Sequence, residues 1–288
     1  MLYDKNLRVL QNIHFDNRLL IESYLLNNCF QLFLQPIVNE LGVVIRFEAL
    51  TRLVLQGKVY RPSCFLPAIQ QHGLVERFDE CALKNVIKLL QSTFWRENLQ
   101  QRRYCFSMNI SPLSCNLLQH AQNLLDIIQA SDLDLNLIQL EFEITEEALI
   151  RKETQAKDVF MEVAKLLHSK NITLSIDDFG VESSSFERLM VCNFDVIKVD
   201  MSLVSRLLSD GYPGKSSKYI IKSLLNLSID LGVDLIVEGV ANKELFLILR
   251  QIGCKIFQGY YFFQPLPSEE VEYLIRKNLL DQFDKVNL

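Results

Sequence analysis

The sequence lacks the features that mark membrane-spanning, secreted and zinc-binding proteins. No run of 18 residues is both apolar and uncharged, and the opening residues MLYDKNLRVL have no apolar signal-peptide core. The seven cysteines are odd in number and form no CxxC pair, which favours reduced, buried thiols over a disulfide framework or a zinc site. We therefore expect a cytoplasmic protein with no membrane segment.

An excess of positive charge is missing as well. The chain has 30 Lys and Arg against 35 Asp and Glu, a net charge of -5, whereas proteins that bind long nucleic acids are basic. Binding to a nucleic-acid polymer is therefore not expected, although this charge is compatible with a small anionic ligand held through metal.

What the chain does contain is a regular alternation of strand and helix patterns after a lead-in helix within 1–28. The strand-like runs 30–38 and 43–51 are separated by four residues, which predicts an antiparallel hairpin. Further strands are predicted at 104–110, 138–144, 173–177, 196–199, 234–237 and 256–260. Helices are predicted at 77–95, 116–130, 154–169, 186–190, 217–231, 243–251 and from 268, with helix breaks at Pro62 and Pro67.

These eight strands, in repeated strand-helix units over about 250 residues, predict the α/β class and a modified (β/α)8 TIM-like barrel with an antiparallel first strand. An open, doubly wound sheet is the alternative. Because no Pro-, Gly- or Ser-rich linker divides the 288 residues, one domain is expected at 18–288, after a lead-in segment at 1–17.

Polar side chains stand where the predicted strands end. The segment NITLSIDDFG at 171–180 is an apolar run that stops at two adjacent aspartates. Read the same way, the strands supply Glu48, Asn109, Glu143, Asp177, Asp178, Lys198, Glu238 and Gln258. In a barrel these ends converge on one mouth, where active sites lie. For the paired aspartates alone, a solvated turn is an equally good interpretation.

The chemistry of this set points to hard cations. Carboxylate and amide oxygens suit Mg²⁺ or Mn²⁺, and the four histidines fall on helices or in the lead-in segment, away from the mouth. Adjacent aspartates allow one carboxylate to bridge two ions, an arrangement used for phosphodiester hydrolysis. Lys198 has two interpretations of equal weight: an ion pair that balances charge, or a cation that orients the attacking water or stabilises phosphate charge.

At this point the chain resembles the EAL-domain cyclic di-GMP phosphodiesterases, over roughly Arg18 to Ser268. The resemblance rests on eight ordered blocks: QPIV (35–38), EALTR (48–52), MNIS (108–111), FEITE (142–146), IDDFG (176–180), KVD (198–200), VEGV (237–240) and QGYYFFQPLP (258–267). It implies a modified barrel with an antiparallel strand, two Mg²⁺ or Mn²⁺ ions, and hydrolysis of cyclic di-GMP to linear pGpG.

The resemblance also implies roles for single residues. The metal shell is Glu48, Asn109, Glu143, Asp177, Asp178 and Glu238, with Asp177 as the bridge, and Lys198, Glu238 and Glu48 form the catalytic set. Lys198 positions or deprotonates the nucleophilic water. The substrate-binding set is Gln35, Leu50, Arg52, Asp200 and Gln258, of which Gln258 also resembles a water or metal-shell contact. Asp200 and Glu146 match supporting positions, although for Glu146 a first-turn acid on the next helix fits equally well.

Two departures from the family pattern concern the rim. In the loop 181–185, Glu182 replaces a glycine and Ser183 a tyrosine, and Ala241 stands where the family has a carboxylate. In the family this loop adjoins the dimer contact, so a homodimer is the protein partner implied. Both departures bear on rate and regulation more than on ligand binding. The alternative function is a weakly active or inactive module that binds cyclic di-GMP or a protein partner.

Overall fold

The computed structural model describes residues 17–111, 117–145, 154–180 and 193–280, and within these ranges ten strands form one sheet. The strands are β1 (Phe30–Asn39), β2 (Val44–Leu55), β3 (Lys58–Tyr60), β4 (Cys105–Asn109), β5 (Gln139–Thr145), β6 (Ile172–Phe179), β7 (Val196–Val199), β8 (Asp234–Val237), β9 (Ile256–Phe257) and β10 (Leu266–Pro267). Eight of them follow the order β1-β9-β8-β7-β6-β5-β4-β2, and pairing of β1 with β2 closes the ring. This closure excludes the open sheet.

The first strand is antiparallel to both of its neighbours in the ring. It pairs with β2 through a short hairpin that places Gln35 opposite Glu48, and with β9 in a register that places Val38 opposite Phe257. The pairs from β2 through β4, β5, β6, β7 and β8 to β9 are all parallel. The predicted modified barrel with an antiparallel first strand is therefore confirmed.

Helices cover the outside of the barrel and bury its apolar wall. They are α1 (Arg18–Leu26), α2 (Pro62–Gln71), α3 (Val75–Leu90), α4 (Thr93–Gln101), α5 (Leu118–Ala130), α6 (Thr154–His168), α7 (Met201–Ser205), α8 (Tyr212–Leu231), α9 (Lys243–Ile252) and α10 (Ser268–Arg276), with a 3₁₀ turn at Arg206–Leu208. Trp95 on α4 is fully buried, with its ring 5.5 Å from that of Phe47 and 5.1 Å from that of Phe106. Edge-on aromatic packing of this kind fixes helices against the wall.

Several predicted elements have different bounds in the structure. The predicted breaks at Pro62 and Pro67 are wrong, because Pro67 lies inside the helix that Pro62 begins. A proline at the first helical position gives up no helical hydrogen bond. The helix predicted at 77–95 is two helices, since the Ser92 hydroxyl caps a new one by accepting from Trp95 N. The last barrel strand is only Ile256–Phe257, and α7 was not predicted. The helix predicted at 186–190 lies outside the described residues.

Ion pairs occupy the end of the barrel that lies opposite the mouth. The guanidinium of Arg46 contacts the carboxylate of Glu141 at 2.8 Å and also pairs with Asp234, and Arg46 and Glu141 are both buried.

In the part of the chain that the structure describes, no helix is both long and apolar enough to cross a membrane.

Candidate active site

The side chain of Lys198, on β7, lies at the centre of the barrel mouth. It is 1% exposed, and its Nζ lies 2.6 Å from Glu143 Oε2, 2.8 Å from Glu238 Oε1, 3.1 Å from Asp177 Oδ1 and 4.0 Å from Glu48 Oε2. One buried cation therefore faces four carboxylates from four strand ends. Since a buried charge is stable only when it is paired, these groups hold one another in place.

A chain of amides supports Glu48 from the other side. Asn109 Nδ2 donates to Glu48 Oε1 at 3.0 Å, and Gln258 Nε2 donates to Glu48 Oε2 at 2.6 Å. Gln258 Nε2 also donates to Gln35 Oε1 at 3.1 Å, and Gln35 Nε2 donates to the carbonyl of Phe263 at 3.1 Å. Both oxygens of Glu48 are thus fixed by hydrogen bonds from elements distant in sequence.

The backbone of β6 brings its two aspartates to the same edge. Neighbouring residues of a regular strand point to opposite faces, but the register shifts between Ile176 and Phe179 and Asp178 has φ +56°. As a result, Asp177, Asp178 and Glu238 each offer a carboxylate oxygen, all within 4.8 Å of one another. Asp178 tolerates the left-handed conformation better than most side chains, though at a cost in backbone strain.

Burial and crowding change the acidity of these groups. Burial raises the pKa of Glu238 to about 8; Lys198 opposes that shift, and Asp177 and Glu48 add to it. Burial, Asp177 and Asp200 raise the pKa of Asp178 to about 6. Burial alone would lower the pKa of Lys198, but the surrounding carboxylates raise it well above its ordinary value, so that Lys198 is protonated at neutral pH.

Some buried oxygen atoms at the mouth have no hydrogen-bond donor among the described residues. Among the described residues, the buried Glu143 Oε1 and Gln258 Oε1 accept no hydrogen bond. Burial raises the pKa of Glu143 well above its usual range, with Lys198 opposing and the nearby carboxylates adding to the shift. An excess of acceptors over donors in a buried site fits a cation. The donor set of carboxylate and amide oxygens fits Mg²⁺ or Mn²⁺.

A cavity lies beside the end of β2. Leu50 and Asn109 help line a mostly apolar cavity of about 210 Å³ between the barrel wall and helices α2 and α3. Arg52 is partly buried, and its guanidinium lies 6.0 Å from the Phe33 ring centroid. The Asp200 carboxylate accepts a hydrogen bond from Ser202 N at 2.8 Å and caps α7, and it lies close enough to Asp178 to raise the pKa of that carboxyl.

The structure thus brings together Glu48, Asn109, Glu143, Asp177, Asp178, Lys198, Glu238, Gln258 and Gln35 at one mouth. Leu50 and Arg52 lie beside it. Glu146 and the loop 181–185 lie outside the described residues, and Ala241 is exposed.

Sequence reasoning did not identify Asp79, whose Oδ2 accepts from Ser111 N at 3.0 Å, two residues beyond Asn109. Asp79 is itself buried, and His120 lies 3.7 Å from the same oxygen. The only signal in the sequence was an acidic residue on the apolar face of a helix. Acidic residues also occur at the solvated edge of such a face, so the signal does not identify a buried carboxylate.

Comparison with known proteins identifies a family and several relatives of this chain. The EAL domain family model matches residues 19–265. The chain is 32% identical over 249 residues to the oxygen sensor protein DosP and 31% identical over 245 residues to the probable cyclic di-GMP phosphodiesterase PdeD, both of Escherichia coli strain K12. These matches cover 85% and 84% of this chain but only 29% and 42% of those proteins. Among solved structures, EAL enzyme Bd1971 bound to cAMP and cyclic di-GMP matches with a TM-score of 0.77 and 27% identity, over 89% of this chain and 67% of that one.

Proposed function

Because the chain belongs to the EAL domain family, we propose that it hydrolyses cyclic di-GMP to linear pGpG with two Mg²⁺ or Mn²⁺ ions. Relatives named as cyclic di-GMP phosphodiesterases support this activity at the level of the family. The observation that carries the proposal is the mouth itself, where carboxylates from four strand ends surround one buried lysine. A structural salt-bridge network needs no such excess of acid, whereas a metal site does.

The residues proposed to hold the metal ions are Glu48, Asn109, Glu143, Asp177, Asp178 and Glu238. Asp177 is proposed as the bridging ligand, because it contacts Lys198 and also lies in the group with Asp178 and Glu238. When bound, the ions supply Lewis-acid polarisation of the phosphate and a more acidic water. The amide chain from Gln35 through Gln258 orients Glu48 toward them.

The raised pKa of Lys198 favours a role in positioning the nucleophilic water over a role in deprotonating it. A general base must be free to accept a proton, but the carboxylates around Lys198 raise its pKa well above its ordinary value. We therefore assign Lys198 as a fixed cation that orients water and stabilises negative charge on phosphate, and not as the base. The same ammonium balances the carboxylates before metal binds.

The substrate sits across the mouth, with its scissile phosphate at the carboxylates. The apolar cavity lined by Leu50, Pro62 and Leu66 has the mainly apolar lining that a flat base needs, with Asn109 as one polar group at its edge. Arg52 contributes a cation on the same strand as Glu48, four residues farther along. A cyclic dinucleotide has bases that suit the apolar cavity and phosphates that suit Arg52 and the metal ions proposed at the carboxylates.

The test is chromatography of the nucleotide after purified protein is mixed with cyclic di-GMP and Mn²⁺. We expect linear pGpG with Mn²⁺ or Mg²⁺ and none in EDTA. Asp177→Asn is expected to abolish most turnover, while the exposed helical control Asp230→Asn is expected to leave it unchanged. Equal turnover in EDTA would remove the metal mechanism. Tight binding of cyclic di-GMP without pGpG would instead support the non-catalytic module.

A further inference from the structure

Arg61 directly follows β3, at the position next in register with Arg52 of β2. The pairs Leu53↔Tyr60, Val54↔Val59 and Leu55↔Lys58 fix the antiparallel register of β2 and β3. Carried one residue farther, this register places Arg61 across from Arg52, and the Arg61 backbone is still extended, with φ -77° and ψ 159°. Directly opposite residues of an antiparallel pair share one face of the sheet, with Cβ atoms about 5 Å apart.

Two arginines in this position repel each other. Among the described residues neither Arg52 nor Arg61 forms an ion pair with a carboxylate. The pKa of Arg52 is lowered mainly by burial; the charge of Glu48 opposes this, and the charge of Arg61 lowers the pKa further. Like charges directly opposite in a sheet destabilise it, so the protein alone gains nothing from this pair.

The pair stands at the edge of the proposed substrate surface. Glu48, Leu50 and Arg52 are alternate residues of β2 and therefore share a face, with Glu48 at the carboxylate cluster and Leu50 at the cavity. Pro62, the neighbour of Arg61, lines the same cavity. The side chain of Tyr260, beyond Gln258, is close enough to affect the pKa of Arg52. The Arg52 guanidinium donates to the Thr51 carbonyl at 3.1 Å and lies over the Phe33 ring, but among the described residues no carboxylate pairs with it. Positive charge that forms no ion pair thus adjoins both the carboxylates and the cavity.

We propose that Arg61 and Arg52 together form a phosphate subsite that binds the second, uncleaved phosphate of a cyclic dinucleotide. This proposal rests on the proposed function, because only a substrate with two phosphates places one at each location. A phosphate between two guanidinium groups accepts charge-assisted hydrogen bonds from both and removes their repulsion. Arg61 therefore determines specificity for dinucleotides and takes no part in bond cleavage.

The test compares Arg61→Gln with Lys58→Gln. Lys58 is exposed on the same short strand, and its removal changes net charge equally, but it lies on the opposite face, across from Leu55. Dissociation constants for cyclic di-GMP are measured by calorimetry in Ca²⁺, which is expected to support binding without fast turnover. We expect Arg61→Gln to weaken binding about 10-fold, Arg61→Lys to weaken it less, and Lys58→Gln to change nothing.

A second substrate distinguishes loss of binding to the second phosphate from a general loss of catalytic activity. Bis(p-nitrophenyl) phosphate carries one phosphodiester, so its hydrolysis in Mn²⁺ is expected to be the same for the parent and Arg61→Gln. Arg61→Gln is also expected to raise the melting temperature slightly in the absence of ligand, because it relieves repulsion. Unchanged cyclic di-GMP affinity in Arg61→Gln, an equal loss in Lys58→Gln, or an equal loss on the one-phosphate substrate would overturn the subsite.

The two proposals fail in different ways. If the parent binds cyclic di-GMP but yields no pGpG, the catalytic part of the proposed function fails, and the series of dissociation constants still decides on Arg61. If the parent does not bind cyclic di-GMP in Ca²⁺, Mg²⁺ or Mn²⁺, both proposals are wrong.

Discussion

At the scale of single residues, Lys198 balances part of the negative charge of the carboxylates at the mouth. Removing one partner from a buried ion pair is costly because the remaining charge stays buried. Lys198→Met keeps the length of the side chain but removes the charge facing Glu143, Glu238 and Asp177. We expect the metal-free protein to lose about 3 kcal/mol of unfolding free energy.

The decisive measurement for Lys198→Met is urea unfolding with EDTA and with Mg²⁺. Bound cations replace part of the missing charge, so Mg²⁺ is expected to restore more stability to the variant than it adds to the parent. A loss that is identical with and without Mg²⁺ would show that Lys198 is not charge-coupled to the metal site.

Gln35 offers a second prediction at this scale. The resemblance implies a nucleotide contact, but its amide joins Gln258 to the Phe263 carbonyl, and Gln258 in turn holds Glu48. Gln35→Ala is therefore expected to weaken Mg²⁺ binding about 10-fold even without nucleotide, as loss of supporting hydrogen bonds does at other metal sites. The exposed Gln71→Ala serves as the control.

The readout for Gln35→Ala is calorimetric titration with Mg²⁺ alone, followed by titration with cyclic di-GMP. An unchanged Mg²⁺ affinity combined with weaker nucleotide binding would assign Gln35 to the nucleotide only.

At the scale of elements, the turn after β8 is held tightly against α7. Gly239 has φ +69°, and a Cβ built on it would lie 2.3 Å from Met201 Cβ and 2.9 Å from Met201 Cα. Gly239→Ala must therefore separate this turn, which carries Glu238, from α7, which Asp200 caps. We expect a loss of 2 to 4 kcal/mol, roughly the cost of overpacking plus a left-handed alanine, together with weaker Mg²⁺ binding.

Gly73→Ala isolates the backbone part of this effect. Gly73 has φ +65° with no atom within 4 Å of a built Cβ, so its substitution adds strain without a clash. We expect it to cost about 1 kcal/mol in urea unfolding and to leave Mg²⁺ affinity unchanged. Equal losses in the two variants would mean that the contact with Met201 relaxes freely.

Comparison of the predicted and observed strands shows which parts of the site the sequence could predict. The ends of β4, β5, β6 and β7 were predictable because each strand carries apolar residues with a polar residue at or near its end, and Asn109, Glu143, Asp177 and Lys198 followed from that pattern. The left-handed turn at Asp178 and the Asp200 cap depend on how β6 and α7 meet. Periodicity carries no information about such contacts.

At the scale of the whole molecule, the hydrogen bonds among Gln35, Gln258 and Glu48 could not have been predicted either. Gln35 and Gln258 are 223 positions apart, and only the antiparallel β1, which closes the barrel between β2 and β9, brings them together. The hairpin was evident from its short loop, but the partner on the other edge of β1 depends on the whole ring.

The raised pKa values of the carboxyl groups at the mouth link folding stability and Mg²⁺ affinity to pH. Because the pKa of Asp178 is about 6 and that of Glu238 about 8 in the metal-free state, both above the ordinary carboxyl values, these groups hold protons that the unfolded chain has lost. Their contribution to stability is present at low pH and is lost as pH rises through about 8. Mg²⁺ must displace those protons, so its affinity is expected to rise from pH 6 to pH 8.

Thermal unfolding at pH 6 and pH 8.5, in EDTA and in Mg²⁺, checks the sign of this linkage. The increase in melting temperature that Mg²⁺ causes is expected to be larger at pH 8.5. Calorimetric titration in two buffers of different ionisation enthalpy should show proton release at pH 7 that is absent at pH 9. Mg²⁺ affinity that is independent of pH, without proton release, would contradict the shifted acidities.

The closing of the barrel by its first strand also sets an order of events during synthesis. At 5 to 20 residues per second, a ribosome needs roughly 10 to 45 s to extend the chain from Gln35 to Gln258. Throughout that interval β1 has one unpaired edge and Glu48 lacks one of the donors that orient it. The nascent chain must keep its first strand from pairing with other chains until almost the last strand is made, and it acquires its complete site only at that moment.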